Sequence, residues 1–141
     1  MFYYWLSSGN WGAQYLIIMI FTNQELSAIF RLAHVMALAD GKITNEETAI
    51  IACELARFST DLNKAKLIAE MGDKMDYGEC CQIISRMTAE EKKYVTAFLG
   101  TLICADGNID ESEMKLWALI TALCDLPEMN IAEALAIMSN I

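Results

Sequence analysis

A nine-residue phrase that occurs twice constrains the fold of this chain more than any other feature. Residues 39–47 read ADGKITNEE and residues 105–113 read ADGNIDESE, so both follow the pattern A-D-G-x-I-(T/D)-x-x-E. The same offset of 66 residues aligns residues 22–58 with residues 88–124, and nine of these 37 positions are identical. We infer a duplicated helix–turn–helix unit. Two copies are too few for an open solenoid, so we expect them to close on each other into one domain.

Helix start signals recur along the chain, and no segment alternates with the period of a β-strand. In each signal, a side chain that can accept a hydrogen bond from a free backbone N–H precedes a glutamate by three residues, as in a capping box. The six cap residues are Thr22, Thr44, Asp76, Thr88, Asp110 and Asn130. Gly72 is a candidate helix stop. The sequence therefore predicts an all-α fold, with about seven helices in a compact pseudo-two-fold bundle made of two related helix–turn–helix halves.

Composition limits the kinds of partner that the chain can bind. The formal net charge is −9, whereas a nucleic-acid-binding surface has to be basic to pair with phosphates. Nucleic acid is therefore excluded as a partner, and the charge either favours basic proteins or cations or is simply a solvated acidic surface. The five cysteines show no C-x-x-C spacing, which indicates free thiols in a reducing compartment and a cytoplasmic location.

The first 21 residues differ from the rest because they contain no charged side chain and are rich in aromatic residues. They lack the basic start of a signal peptide and the roughly 20 apolar residues of a membrane span. We assign residues 1–21 to an N-terminal extension and residues 22–141 to the helical domain. The extension could pack on the domain or a neighbouring chain, could tether the protein to a membrane or a partner, or could precede a natural start at Met19.

The repeated phrase matches the second half of a calcium-binding EF-hand loop. In that register the first and third ligand positions fall on Met36 and Leu38 in one copy. In the other copy they fall on Leu102 and Cys104. None of these side chains carries the oxygen ligand that calcium requires, so a complete EF-hand site is excluded.

Most of the phrase is explained as a structural turn. Glycine ends the first helix in the left-handed conformation, Ile43 or Ile109 turns inward, and the next residue caps the following helix. The aspartate before the glycine, Asp40 or Asp106, is not explained in this way, because an acid opposes the dipole at a helix C-terminus. It either bonds N–H groups of the turn or contributes to a cation or polar-partner site.

No catalytic motif is recognisable in the chain. His34 is the only histidine, which excludes a multi-histidine metal site. A glycine-rich phosphate loop, a G-x-S-x-G elbow and an H-E-x-x-H helix are all absent from the sequence. The adjacent Cys80 and Cys81 are either a reactive pair or one core cysteine beside a bystander. We expect no enzymatic activity, since an enzyme using His34 or a cysteine would need a pocket that joins them.

Two helical halves that each carry an A-D-G-x-I-(T/D)-x-x-E turn resemble the TerB-like tellurite-resistance family over about residues 22–138. The resemblance implies a bacterial all-α domain of about seven helices that acts without catalysis in stress-response assemblies. It also implies a divalent cation as the one candidate cofactor, bound through acidic side chains. By position these are Asp40, Glu47, Asp106, Asp110 and Glu113. If one turn holds the cation, the second is favoured, because the first has a lysine and a threonine where the second has an asparagine and an aspartate.

Our first functional hypothesis is a non-catalytic TerB-like interaction domain with an acidic divalent-cation site at the two A-D-G turns. The alternative is a membrane-surface or scaffold protein tethered through residues 1–21. A protein partner is expected in either case. The sequence leaves open the oligomeric state, a weak homodimer included, and whether Asp40 and Asp106 converge in space.

Overall fold

The computed structural model describes residues 20–59 and 61–141, which form helices joined by turns and contain no β-strand. The described helices are α1 (Asn23–Ala37), α2 (Asn45–Phe58), α3 (Leu62–Asp73), α4 (Tyr77–Ser85), α5 (Ala89–Ile103), α6 (Glu111–Leu123) and α7 (Ile131–Ser139). The predicted all-α architecture is thus confirmed. Among these helices, none combines the length and the apolar character needed to cross a membrane. The predicted tether comprises residues 1–21, of which residues 1–19, with the proposed start at Met19, lie outside the described residues.

Side-chain caps begin these helices where the sequence predicted them. At five starts the cap side chain accepts from the backbone N–H of the glutamate, and the glutamate carboxylate accepts from the backbone N–H of the cap. These complete boxes begin at Thr22, Thr44, Asp76, Thr88 and Asn130. At the sixth, Asp110 accepts the N–H of Glu113, but the Glu113 carboxylate is directed elsewhere. Helix α3 is capped by Asp61, a residue outside the predicted set of caps.

The duplication is visible in the arrangement of the helices. Helix α5 begins and ends 66 residues after α1, and both contain 15 residues. The two helices pack against each other at the centre of the bundle, where most of their residues are buried. Helices α3 and α4 cover α1, helix α7 covers α5, and α6 contacts both central helices. A helix that is apolar on nearly every side is stable only in such a central position.

An aromatic cluster fills the core between α1, α2 and α5. The ring of Phe58 lies edge-on to Tyr94, with 5.6 Å between centroids, and Tyr94 stacks on Phe98 at 6.1 Å. Phe21, at the end of the predicted extension, is 2% exposed and lies edge-on to Phe58 at 5.4 Å. Edge-on and offset aromatic pairs are favourable beyond the area that they bury. The residue before the first cap therefore belongs to the packed core of the domain.

Gly72 does not end α3, contrary to the prediction. The helix continues through this residue to Asp73. A Cβ atom at Gly72 would lie 3.1 Å from the carbonyl oxygen of Ser27 in α1. The glycine is needed for the close approach of α3 to α1, which a sequence pattern along one helix does not reveal.

The glycines of the two repeated turns do adopt the predicted left-handed conformation, with φ of 99° at Gly41 and 87° at Gly107. A Cβ atom at either position would meet no other atom within 4 Å, so only the backbone conformation selects glycine. We expect Gly107→Ala to lower the free energy of unfolding by about 1–2 kcal/mol, because a Cβ atom is unfavourable in this region. Urea denaturation would measure the loss. Gly107→Asn should lose less, since asparagine tolerates this conformation, and equal losses for the two variants would contradict the explanation.

Candidate functional site

The aspartate that precedes each turn glycine forms a local hydrogen bond. The Oδ1 atom of Asp40 accepts from the backbone N–H of Lys42 at 3.3 Å, and Oδ1 of Asp106 accepts from that of Asn108 at 3.0 Å. Both aspartates are exposed. These Asx turns stabilise the chain reversal. The structural role that the sequence offered as one alternative is therefore formed in both copies.

The isoleucines of the two turns differ from each other. Ile43 is half-buried, whereas Ile109 is 61% exposed, so the prediction that both turn inward is wrong for the second copy. The buried stripe of α6 begins only at Glu113, which leaves Ile109 outside it. The second turn thus presents an apolar side chain to solvent.

The glutamates that follow the two turns face the core. Along α6 the buried side chains recur every three or four residues, which places them on one face of the helix. They are Glu113, Trp117, Ile120 and, at the C-cap, Cys124. The equivalent face of α2 carries Glu47, Glu54 and Phe58. Each turn therefore delivers a carboxyl group to the interior at the first turn of its helix.

Hydrogen bonds from α5 fix the positions of α2 and α6. The hydroxyl of Tyr94 donates to Oε2 of Glu54 in α2 at 2.6 Å, and this carboxylate is also 3.2 Å from Nε of Arg57. The indole Nε1 of Trp117 in α6 donates to the carbonyl oxygen of Thr96 at 3.1 Å. Buried polar groups of this kind are costly unless they are bonded, so the bonds specify one placement of each helix. That placement brings the starts of α2 and α6 together.

Glu47 and Glu113 meet at this junction and form a buried carboxyl pair, with exposed fractions of 4% and 5%. Burial raises the pKa of Glu113 from 4.5 to about 8, and a hydrogen bond to Glu47 and the charge of Glu47 add to the rise. Two buried carboxylates in contact repel each other unless a proton or a cation lies between them. The pair therefore holds a proton over much of the neutral range.

The surroundings identify Glu113 as the member that carries the proton. Oε1 of Glu47 accepts from the backbone N–H of Thr44 at 2.9 Å. Glu113 lacks the equivalent bond because the box at its cap is incomplete. Its Oε2 atom is buried and accepts no hydrogen bond from an N–H or O–H group of the described residues. The Glu47 carboxyl group is its polar neighbour. The raised pKa of Glu113 and its buried Oε2 atom favour a neutral Glu113 carboxyl group beside Glu47.

Further acidic and thiol groups surround the pair. The charges of Asp110 and Asp40 add to the raised pKa of Glu113, so the first turn approaches the glutamate of the second. Burial raises the pKa of the Cys104 thiol, and the charge of Glu113 contributes to that rise. Carboxylate oxygens are the ligands that hard divalent cations prefer. Within the described ranges, however, no three or more histidine, cysteine, aspartate or glutamate side chains are already placed as a metal site.

Of the five residues predicted from the sequence as cation ligands, Glu47 and Glu113 meet at this place, and the charges of Asp40 and Asp110 act on Glu113 from nearby. The fifth, Asp106, is exposed in the second turn, where it forms the Asx bond. His34, the other residue considered for chemistry, lies exposed on α1. Sequence reasoning missed Glu54, although its position seven residues after Glu47 on the inward face was a signal of burial.

Comparison with known proteins identifies a solved structure that is similar to this chain. Neither a protein-family model nor a curated protein matches the chain. A crystal structure of a protein of unknown function from Porphyromonas gingivalis is similar to it, with 40% sequence identity and a TM-score of 0.77. The match covers 88% of this chain and 100% of that chain. The all-α fold described above therefore occurs in that protein as well.

Proposed function

Given that this chain belongs to the same family as the Porphyromonas gingivalis protein, we propose for it a non-catalytic role as a TerB-like interaction domain with a divalent-cation site between its two A-D-G turns. The Glu47–Glu113 pair is the centre of the proposed site. The observation that carries the proposal is that equivalent glutamates of both repeats are buried against each other, with Oε2 of Glu113 lacking a protein partner outside the pair.

The donor set suits a hard cation of the magnesium or calcium type. Magnesium is commonly held by one or two carboxylates and keeps several of its waters, so a site need not supply a full protein shell. Glu47 and Glu113 would hold the ion, and the exposed Asp40 and the half-buried Asp110 would add negative charge nearby. When bound, the ion supplies positive charge that offsets the repulsion between the two carboxylates. Binding would join the first turn of α2 to that of α6 and thus fix the surface formed by the two turns.

The proposal is tested by thermal unfolding at pH 8.5 with increasing calcium or magnesium, at constant ionic strength. At this pH the proton competes least for the pair. A cation at 100 times its Kd should stabilise the folded protein by roughly 2.7 kcal/mol, which raises the melting temperature by several degrees. Glu113→Gln should abolish this increase, because the amide offers the ion no charge.

Glu25→Gln is the matched control. Glu25 occupies the same third position of a capping box at α1, away from the pair, and glutamine can still complete the box. This variant should respond to the cation as the wild type does. An absent response of the wild type at millimolar cation, or an equal response in Glu113→Gln, would disprove the cation site.

A further inference from the structure

The two repeated turns lie at the same end of the bundle. Near the start of both central helices, the ring centroids of Phe21 and Tyr94 are 5.8 Å apart. Further along both, those of Phe30 and Phe98 are 5.6 Å apart, so α1 and α5 run in the same direction. The first turn follows α1 and the second follows α5. Because these helices are parallel and packed together, the turns that follow them share one end of the molecule.

The turn surface, which comprises residues 38–46 and 104–112, presents apolar side chains to solvent. Leu38 is 46% exposed and Ile109 is 61% exposed. Three smaller or more covered apolar residues of the surface are half-buried, namely Ala39, Ile43 and Ala105. The Asx bonds and the left-handed glycines hold both turns in one conformation. The apolar side chains are therefore already in place for a partner, and little order has to be imposed when it binds.

Carboxylates outnumber basic side chains on the turn surface. Five of them are exposed or half-buried, namely Asp40, Glu46, Asp106, Asp110 and Glu111. Lys42 is the one basic residue of the two segments. Lys115, one helical turn further along α6, lies 3.3 Å from the Glu111 carboxylate. The exposed apolar side chains thus share their surface with a net negative charge.

The sign of this charge decides what can cover the apolar side chains. A nucleic acid, an anionic lipid surface and the turn surface of a second copy of this chain all carry negative charge and would be repelled. A segment whose apolar side chains are flanked by lysine or arginine would be attracted. It would bury Leu38 and Ile109 at the centre of the contact and pair its charges with the carboxylates at the rim.

We propose that the turn surface is a docking site for a basic, amphipathic segment of another protein, with Ile109 and Leu38 as its apolar contacts. The proposal rests on the interaction role proposed above and names the kind of partner, but it does not require the cation. It also gives a role to the exposed Ile109, which the local structure of the second turn does not explain.

A synthetic peptide of leucine and lysine, in which the leucines recur every three or four residues, is a suitable probe. Fluorescence anisotropy of the fluorescein-labelled peptide with the full-length protein, at low ionic strength and with a chelator present, measures its Kd. We expect saturable binding that weakens as the ionic strength rises. Control peptides with glutamate in place of lysine, or with serine in place of leucine, should each bind at least about tenfold more weakly.

Substitutions of apolar residues locate the bound peptide. Ile109→Ser should raise its Kd about tenfold, because the burial of a large aliphatic side chain is lost. Leu119→Ser is the matched control, since Leu119 is 53% exposed on α6 but lies outside the turn surface. It should bind the peptide as the wild type does. Thermal unfolding of both variants would establish that they are folded.

A substitution of one carboxylate measures the contribution of charge. Asp106→Asn should raise the Kd about two- to fivefold and reduce its dependence on ionic strength. Asparagine keeps an oxygen that can accept the N–H of Asn108, so the turn is retained while the charge is lost. Glu128→Gln removes one charge from an exposed residue between α6 and α7 and should leave the Kd unchanged.

Two results would overturn the proposal. One is the absence of saturable binding of the leucine–lysine peptide to the wild type, which requires no variant. The other is equal affinity of Ile109→Ser and Leu119→Ser, which would place the peptide away from the turn surface. Because a chelator is present throughout, neither result affects the cation titration, so the partner and the cation site can fail separately.

Discussion

The protein should become more stable as the pH falls from about 8 towards 5, the reverse of what an ordinary ionised glutamate would give. The pKa of Glu113 is raised from 4.5 to about 8 in the folded state, chiefly by burial. Between these values the folded protein holds a proton that the unfolded chain releases. The stabilisation is complete below the unfolded pKa and is lost as the pH rises through the folded one. One proton gives a slope of up to about 1.4 kcal/mol per pH unit and a total on the order of 3–5 kcal/mol.

Replacing Glu113 by glutamine isolates this contribution. Glutamine keeps the size of the side chain and stays neutral, so Glu113→Gln should flatten the pH dependence and exceed the wild type in stability at pH 8 by a few kcal/mol. Urea denaturation at half-unit pH steps, with a chelator present, measures both effects. Glu91→Gln is matched because Glu91 holds the same third position of a capping box at α5. Wild-type and Glu113→Gln curves that run parallel between pH 5 and 8 would show that the pair holds no proton.

The second large effect is expected at Trp117, the side chain that anchors α6. It is 5% exposed, and a Cβ atom added at Gly100 in α5 would lie 2.6 Å from its Cζ2 atom, so the indole lies directly on the α5 backbone. Trp117→Ala should lower the free energy of unfolding by roughly 3–5 kcal/mol, through lost burial, a cavity and the loss of the hydrogen bond to the Thr96 carbonyl. Urea denaturation at pH 5, where the protein is expected to be most stable, would measure the loss.

Leu119→Ala controls for the substitution itself. Leu119 lies on the same helix but is 53% exposed, so its truncation should change the stability by less than about 0.5 kcal/mol. Trp117→Phe should fall between the two, because the ring remains but the N–H donor to Thr96 is lost. Similar stabilities for Trp117→Ala and Leu119→Ala would contradict the anchoring role.

The proton and the proposed cation compete for the Glu47–Glu113 pair. Because only the proton depends on pH, measurements at two pH values separate their effects. At pH 5 a proton occupies the pair and added cation should have little effect. At pH 8.5 the proton has mostly left and the cation should restore stability to the wild type, but not to Glu113→Gln. A steep pH dependence without any cation response would support the protonated Glu47–Glu113 pair and disprove the cation site.

The capping chemistry and the turn geometry could be predicted from the sequence because they are local. A threonine or aspartate with a glutamate three residues later bonds within one helical turn, wherever the helix lies. The left-handed conformation of Gly107 likewise depends on its own backbone. The two local predictions that proved wrong, the stop at Gly72 and the inward Ile109, both depend on what lies beside the element: an α1 backbone carbonyl near Gly72, and solvent around Ile109.

The residues of the candidate site could be predicted from the sequence, but the protonation of the pair could not. The repeated pattern places Glu47 and Glu113 at equivalent helix starts. A role in a capping box was enough to explain each of them. Only the packing of α2 and α6 against α5 buries both and brings them into contact. Desolvation and mutual repulsion arise from that contact, and they determine which carboxyl group is protonated.

The sequence by itself determined the duplication, the helices and the residues that begin and end most of them, since these depend on spacing and on bonds within a few residues. The tertiary structure decided which groups meet: Glu47 with Glu113 at the start of α6, and Trp117 of the same helix with the backbone of α5. The physical reason is that a carboxyl group acquires an altered proton affinity, and an indole its hydrogen-bond acceptor, from neighbours in space. Those neighbours come from distant parts of the chain.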